Sequence, residues 1–276
     1  MELSATQQLG ALAHDNRLAI FRLLMRRFPQ AVPAGEITRE LGIKANTGSV
    51  YLSALREAGL VDQRRDGTSL KYSANVSQVQ ALMTFLLDDC CQSRPDICAP
   101  FATETPLSSG QTRPMTALFI CTGNSARSLI AEVLLRDEGQ GRFEVYSAGT
   151  QAVGRPHPKV LELLRNKGHD ISGLASKNIE VMSGPDAPAF DFVFTVCDQA
   201  ANEDCPAWPG QPISAHWGLP DPVKATGTDA EKELAFQENY GSLLNRIQAF
   251  VNLPFETLSR VSLQHRVDDI GRMSWT

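Results

Sequence analysis

The segment TALFICTGNSARSLIAEVLL, from Thr116 to Leu135, constrains the fold of this 276-residue chain more than any other. An apolar run ends at Cys121, a loop of small polar residues follows, and an apolar-periodic helix begins near Arg127. The backbone N–H groups of such a loop can converge on one point, and a helix N-terminus attracts negative charge. The pattern therefore predicts a strand–loop–helix unit that binds an anion.

Cys121 lies where this loop begins. The positive field of the loop is expected to lower the pKa of the Cys121 thiol and keep it as thiolate, the reactive form. Arg127 can hold a tetrahedral oxyanion through two parallel hydrogen bonds. The alternative is a small, inert cysteine buried at the end of a strand.

The chain is long enough for two domains with separate cores. After residue 115, strand-like and helical segments alternate, which favours a parallel sheet with ligands beyond the carboxyl ends of its strands. We predict a winged helix-turn-helix domain at 1–93, a Pro/Ser/Thr/Gly-rich linker at 94–114, an α/β domain at 115–253 and a helical tail at 254–276. The partial helical periodicity of the tail indicates packing or dimerisation.

The first domain is predicted as α+β, in the order helix, helix, turn, helix, two-stranded wing and helix, with the wing turning at Asp66-Gly67. The second is predicted as a three-layer α/β domain with a four-stranded parallel sheet. Residues 1–75 hold ten Lys/Arg against seven Asp/Glu, about +3, whereas residues 99–276 hold fifteen against twenty-one, or −6. A locally basic front segment is compatible with nucleic-acid contact.

The sequence shows no apolar run of membrane-spanning length and no signal peptide at its start, so we expect a cytoplasmic protein with no membrane partner. Six cysteines in a reducing compartment are more often ligands or nucleophiles than a disulfide framework. Three of them precede the anion loop, and three lie from Cys121 onward.

The motifs CTGNSARS, YSAGT and PDP resemble the low-molecular-weight tyrosine phosphatase fold over residues 115–253. The resemblance implies that Asp221 is a general acid and that the Ser128 hydroxyl supports the thiolate. It also implies that the whole loop binds the oxyanion, through Thr122, Gly123, Asn124, Ser125, Ala126 and Arg127. A carboxyl on a Pro-stiffened loop suits a proton donor, and a plain turn aspartate is the alternative.

Two further thiols indicate redox chemistry. Cys197 ends the strand-like run FDFVFTV, on the same sheet edge as Cys121, and Cys205 follows a polar segment with little apolar burial to lose on unwinding. This set resembles the three-cysteine arsenate reductases built on the phosphatase fold. The resemblance implies a relay from Cys121 to Cys197 to Cys205, an external thioredoxin or glutaredoxin, and no tightly bound cofactor. Structural cysteines, a tyrosine phosphatase and a silent oxyanion-binding module are the alternatives.

The runs LAHDNRLAIFRLL and YLSALREAGLVDQRRDGTSLKYS resemble the winged-helix repressors of the ArsR/SmtB type over residues 1–92. The resemblance implies that the second helix of the motif enters the major groove of operator DNA and that the wing lies on the backbone. The candidate DNA-binding residues are Asn46, Thr47, Ser49, Tyr51, Ser53 and Arg56 on the helix, and Arg64, Arg65 and Lys71 on the wing. A protein-binding winged helix is the alternative.

The last helix of the first domain ends in a cluster of thiols at Cys90, Cys91 and Cys98. Three thiolates without a nearby histidine suit a soft ion, and arsenite favours three sulfurs where zinc usually takes a fourth ligand. Small buried cysteines at a dimer-forming helix are the alternative. Together the two halves predict a homodimeric arsenite-responsive repressor fused to an arsenate reductase.

Overall fold

The computed structural model describes residues 5–90, 113–184, 187–203, 208 and 212–273. The chain divides into two compact units, Met1–Glu104 and Thr105–Thr276. Among the described residues, no helix has both the length and the apolar character needed to cross a bilayer.

The described residues of the first unit form five α-helices and a small antiparallel sheet. Its elements are α1 (Ala5–Leu12), α2 (Asp15–Arg27), β1 (Val32–Pro33), α3 (Ala34–Glu40), α4 (Ala45–Glu57), β2 (Val61–Asp66), β3 (Ser69–Ala74) and α5 (Val76–Phe85), followed by a π-helical turn at Leu86–Cys90. The sheet order is β1-β3-β2, and Gly67 turns the wing with a φ of +59°.

Two features of this unit differ from the sequence prediction. The first predicted helix is two helices, because His14 has extended backbone and its ring accepts a hydrogen bond from the Asn16 N–H to cap α2. The apolar spacing continues across this break, so periodicity does not reveal it. The strand β1 was not predicted, since a two-residue strand paired as Val32↔Tyr72 is too short to leave a pattern.

The helix-turn-helix pair α3 and α4 is packed closely at one glycine. A methyl group at Gly48 would lie 2.3 Å from Cγ2 of Thr38, so a larger residue at this position would force the Thr38 side chain to move. The buried face of α4 carries Leu52 and Leu55, which join the core formed with α2 and α3. The opposite face of α4 is thereby left toward solvent.

The second unit has the predicted four-stranded parallel sheet, in the order β5-β4-β6-β7. Its strands are β4 (Met115–Cys121), β5 (Phe143–Gly149), β6 (Phe192–Thr195) and β7 (Ile213–His216). Its helices are α6 (Arg127–Glu138), α7 (Pro158–Asn166), α8 (Asp198–Asn202), α9 (Asp229–Val251) and α10 (Arg260–Arg272), with 3-10 turns at Ile179–Met182 and Pro222–Lys224.

Parallel strands bring several loops to one edge of the sheet. Every residue of β4 is buried, as expected for a central strand that is covered on both faces. Because β4 and β6 are neighbours, the residues that follow them, including Cys197, meet at the carboxyl edge. The segment after β7 reaches the same edge and carries Asp221.

The C-terminal helix α10 packs against β7, the strand at one edge of the sheet. The side-chain amide of Gln264 donates to the Ser214 carbonyl at 2.8 Å, and Trp217 Nε1 donates to the Val267 carbonyl at 3.2 Å. These contacts cover an otherwise unpaired strand edge, which is a site of unwanted association in many proteins.

Candidate active site

The loop after β4 has its carbonyl groups turned outward. The carbonyls of Cys121, Thr122, Gly123 and Ser125 accept hydrogen bonds from the backbone N–H groups of Thr150, Gln151, Val153 and His157. Because each peptide unit is planar and trans, an outward carbonyl directs the next N–H group inward. The Asn124 N–H accordingly donates to Cys121 Sγ at 3.2 Å. The loop is an anion cradle with the cysteine at its base.

Asn124 supports the cradle from beneath. Its backbone has a φ of +43°, and its fully buried side chain donates to Ser128 Oγ at 2.9 Å and to Ser147 Oγ at 2.8 Å. Its Oδ1 accepts from the Lys177 N–H at 2.5 Å. The amide side chain thus fixes the shape of the loop, and it is the backbone of Asn124 that faces the sulfur.

Cys121 is only 2% exposed, and its Sγ lies 2.9 Å from Ser128 Oγ. Burial, followed by the neighbouring Cys197 thiol, raises the pKa of Cys121 above its ordinary value. The hydrogen bonds from Ser128 and the charge of Arg127 act in the opposite direction but do not prevail. The expectation of a lowered pKa is therefore wrong for this resting site, since desolvation of the thiolate outweighs the field of the loop.

Arg127 joins the cradle to the loop that carries Asp221. Its Nη2 lies 2.8 Å from Asp221 Oδ2, and its Nη1 donates to the Leu219 carbonyl at 3.0 Å. Its Nε is buried and has no partner among the described residues, so this N–H group remains available to an oxyanion. Asp221 Oδ1 accepts from the Val223 N–H and caps the 3-10 turn at Pro222–Lys224.

Cys197 lies beside the same cradle. It is 1% exposed, and its Sγ is 3.4 Å from the Thr122 hydroxyl and accepts from the Ala200 N–H at 3.4 Å. The sequence predicts only oxyanion binding for Thr122 and does not indicate this contact of its hydroxyl with Cys197. Cys205 lies outside the described residues.

A histidine buried behind Cys197 links two elements of the site. His216 Nδ1 is 2.9 Å from Thr195 Oγ1, and its Nε2 is 3.2 Å from Asp198 Oδ1, which belongs to the helix that follows Cys197. The motif AHWG gives a signal for this residue, but nothing in the sequence indicates its partners.

The described residues contain no group of three His, Cys, Asp or Glu side chains that could hold a metal ion. The described groups at this site are the two thiols, the guanidinium of Arg127, the Asp221 carboxyl and the loop amides.

The DNA-contact candidates of the first unit lie mostly on its surface. Asn46, Thr47, Ser49 and Arg56 are exposed on α4, whereas Tyr51 and Ser53 are half-buried. The Tyr51 ring packs against His14, with ring centroids 4.8 Å apart, and the Ser53 hydroxyl donates to Glu57. Asn46 and Thr47, in the first turn of α4, are therefore better placed for a groove than Tyr51 and Ser53.

The wing presents two exposed arginines. Arg64 pairs across the hairpin with Lys71 and so shares a face with it, whereas Arg65 lies on the other face. The Lys71 ammonium lies 2.6 Å from the Asp66 carboxylate, so its charge is partly compensated. Arg56 Nη1 donates to Gln63 Oε1 and connects α4 to the wing. Of the predicted arsenite ligands, Cys90 is exposed, while Cys91 and Cys98 lie outside the described residues.

The fold and the cradle define an α/β protein of the phosphatase type, with a cysteine, an arginine and an aspartate at one sheet edge. The family model "Low molecular weight phosphotyrosine protein phosphatase" matches residues 116–260, and a "Helix-turn-helix domain" model matches residues 12–64. The chain therefore belongs to the low molecular weight phosphotyrosine protein phosphatase family and carries a helix-turn-helix domain in front.

Similar proteins are named as arsenate reductases. One from Shouchella clausii is 39% identical over 132 residues, covering 48% of this chain and 91% of the relative. Another from Bacillus subtilis is 36% identical, again over 48% of this chain and 91% of the relative. A solved structure titled "An arsenate reductase in oxidized state" shares 28% identity, covers 49% of this chain and 95% of its own, and has a TM-score of 0.41.

Proposed function

We propose that the second unit reduces arsenate to arsenite by a cysteine relay and that the first unit is an arsenite-responsive repressor. The observation that carries the proposal is the second thiol: Cys197 is buried at the strand end next to Cys121 and touches Thr122 of the cradle. Phosphate ester hydrolysis needs one thiol at this edge, whereas a relay needs two.

In the first step, the Cys121 thiolate attacks the arsenic of arsenate bound by the loop amides and Arg127. An As–OH bond breaks, and the proton released by the Cys121 thiol, carried by the Asp221 carboxyl, joins the departing hydroxide, which leaves as water. Asp221 is 2.8 Å from Arg127 in the resting site, so it is already beside the oxyanion position. The arsenic remains pentavalent in this Cys121 adduct.

In the second step, the Cys197 thiolate attacks the sulfur of Cys121. A disulfide forms, the S–As bond breaks, and its electron pair stays on arsenic, which leaves as arsenite. Two thiols are oxidised as one arsenate is reduced, so the electrons balance. Cys205 then attacks Cys197 to give a Cys197–Cys205 disulfide and free Cys121, and a thioredoxin or glutaredoxin dithiol reduces that pair.

In the proposed regulatory cycle, the first unit binds operator DNA as a homodimer through α4 and the wing. Arsenite made by the second unit binds Cys90, Cys91 and Cys98 and weakens this DNA complex. The proposal draws support from the exposed first turn of α4 and the exposed Arg64 and Arg65. DNA and dithiol reductants are both cytoplasmic, so we place the protein there.

Arsenate-dependent NADPH oxidation, coupled through thioredoxin and thioredoxin reductase, tests the relay. The wild type should turn over, and Cys197→Ser should not, while any hydrolysis of an aryl phosphate persists in the variant. If neither a thioredoxin nor a glutaredoxin couple supports arsenate turnover while an aryl phosphate is hydrolysed rapidly, the second unit is a phosphatase and the reductase proposal is rejected.

Binding to DNA taken from upstream of the protein's own gene tests the repressor. Sodium arsenite should weaken binding by the wild type and leave Cys90→Ser unaffected, with Cys121→Ser as the control that still responds. A complex that is insensitive to arsenite in the wild type would contradict the sensor role.

A further inference from the structure

The loop that carries Asp221 is fastened by three side chains. The carbonyls of Trp217, Leu219 and Pro220 accept hydrogen bonds from Arg246 Nη1 at 2.7 Å, Arg127 Nη1 at 3.0 Å and Asn239 Nδ2 at 2.9 Å, respectively. Arg127 belongs to the oxyanion cradle. Arg246 and Asn239 both come from α9, a helix outside every motif that marks the site.

Arg246 and Asn239 lie two helical turns apart and reach the same loop from one face of α9. They are only 7% and 5% exposed. Arg246 Nε and Asn239 Oδ1 are buried with no partner among the described residues. Burial also lowers the pKa of Arg246. Apolar side chains would avoid this desolvation, so the contacts with the loop are what these polar residues provide.

Packing alone does not fix the loop. One side of it is tight, since a methyl group at Gly218 would lie 2.4 Å from His216 Nε2 and 2.6 Å from Asp198 Oδ1. The other side borders a cavity of about 900 Å³, lined by Pro220, Asp221 and Pro222 of the loop and by residues of α9 that include both Asn239 and Arg246. A loop with open space on one side is free to shift unless hydrogen bonds hold it.

We propose that Arg246 and Asn239 are positioning residues that hold the Trp217–Asp221 loop so that the Asp221 carboxyl stays beside Arg127 and can protonate the leaving oxygen. The inference rests on the proposed function, because it assigns these residues to the proton-transfer step of arsenate reduction. A displaced general acid slows the first chemical step while the cradle still binds arsenate.

A double-mutant cycle in a single turnover tests the inference. Fully reduced protein is mixed with excess arsenate without external reductant, and arsenite formation is followed over time. Arg246→Met should lower the first-order rate about 10- to 100-fold, the size expected for a misplaced catalytic group, and change the half-saturating arsenate concentration much less. Arg246→Lys, which keeps a cationic donor, should recover part of the rate.

The double-mutant cycle distinguishes a role of Arg246 in positioning Asp221 from a general loss of structure. In an Asp221→Asn background, Arg246→Met should have no further effect, because it acts through the carboxyl already removed. Asn245→Ala, which lines the same cavity from the same helix, is the matched control and should stay within about twofold of wild type.

Equal rate losses in the wild-type and Asp221→Asn backgrounds, or an unchanged rate in Arg246→Met, would overturn the inference. If thermal unfolding shows that Arg246→Met does not fold, Asn239→Ala replaces it in the double-mutant cycle. Asn239→Ala should then lower the single-turnover rate in the wild-type background and have no further effect in the Asp221→Asn background. Absence of arsenite from the wild type would instead reject the proposed function, so the two failures are distinct.

Discussion

The guanidinium of Arg127 binds the Asp221 carboxylate at 2.8 Å. It also donates to the carbonyl of Leu219, which lies 92 residues further along the chain in the loop that carries Asp221. The loop after β4 and the loop that carries Asp221 are thus joined by an ion pair in the resting site. In the proposed mechanism, an incoming oxyanion competes with Asp221 for this guanidinium and therefore binds next to the Asp221 carboxyl.

Arg127→Lys should lower the rate of arsenite formation by at least about 100-fold, since lysine supplies a point charge without the planar fork that binds two oxygens. The variant keeps the charge, so folding should be little changed. The measurement is single-turnover arsenite formation over a range of arsenate concentrations. A rate constant close to that of the wild type would show that the fork is not needed.

The Cys121 thiol should react slowly at neutral pH and faster in alkali. Burial raises the pKa of this thiol above its ordinary value, so a smaller fraction of it is thiolate at neutral pH than for an exposed cysteine. Iodoacetamide alkylation of the Cys121 peptide, followed by mass spectrometry against pH, measures this. Ser128→Ala removes a hydrogen bond that lowers this pKa, so its alkylation curve should move to higher pH.

An alkylation curve with its midpoint below neutral pH would contradict this account of the resting site. Cys90, which is exposed, is the internal control, because its alkylation should be unaffected by Ser128→Ala.

Asp268→Asn should stabilise the second unit at high pH. Burial raises the pKa of Asp268 to about 6 from its ordinary 3.8. The folded state therefore holds the proton more tightly than the unfolded state, and the free energy of unfolding falls as the pH rises between these values and stays lower above them. The Asn variant avoids this loss and still accepts the hydrogen bond from Gln264.

Urea unfolding of the variant should show a gain of roughly 1 to 3 kcal/mol at about pH 8 and a much smaller one at about pH 4.5. Asp269→Asn is the control, because that neighbouring carboxylate is half-exposed and paired with Arg272 on the surface. The same gain at both pH values would contradict the buried-carboxyl explanation.

Arg64→Ala should weaken DNA binding and reduce the slope of log affinity against log salt by about 1, as expected for one lost phosphate contact. Lys71→Ala should have a smaller effect, since Asp66 already compensates the Lys71 charge. Fluorescence anisotropy over a salt series distinguishes the two. If the slope of log affinity against log salt is the same for the wild type, Arg64→Ala and Lys71→Ala, the wing does not contact the DNA phosphates.

The elements around the site follow from local patterns in the sequence. In the strand–loop–helix unit at Cys121, the spacing of apolar residues changes from that of a strand to that of a helix around the motif CTGNSARS. The parallel topology then brings Cys197 to the same sheet edge. The break at His14 was not predictable, since the apolar spacing runs through it. The direction of the Cys121 pKa shift depends on burial by distant segments, which no local pattern records.

The sequence also gives no indication of the two side chains that bind the Trp217–Asp221 loop. Arg246 and Asn239 lie 29 and 19 residues from the carbonyls they bind, on an amphipathic helix where isolated polar residues are ordinary. Only the folded packing of α9 against the loop shows that their side chains point inward.

The most direct test of the central claim, the cysteine relay, is to trap its first disulfide. Reduced Cys205→Ser protein is given one turnover of arsenate, its free thiols are alkylated, and its peptides are analysed by mass spectrometry. The account predicts that the peptides carrying Cys121 and Cys197 are joined by a disulfide in an amount equal to the arsenite released. Arsenite release with both cysteines alkylated, or no joined peptides after arsenate, would contradict it.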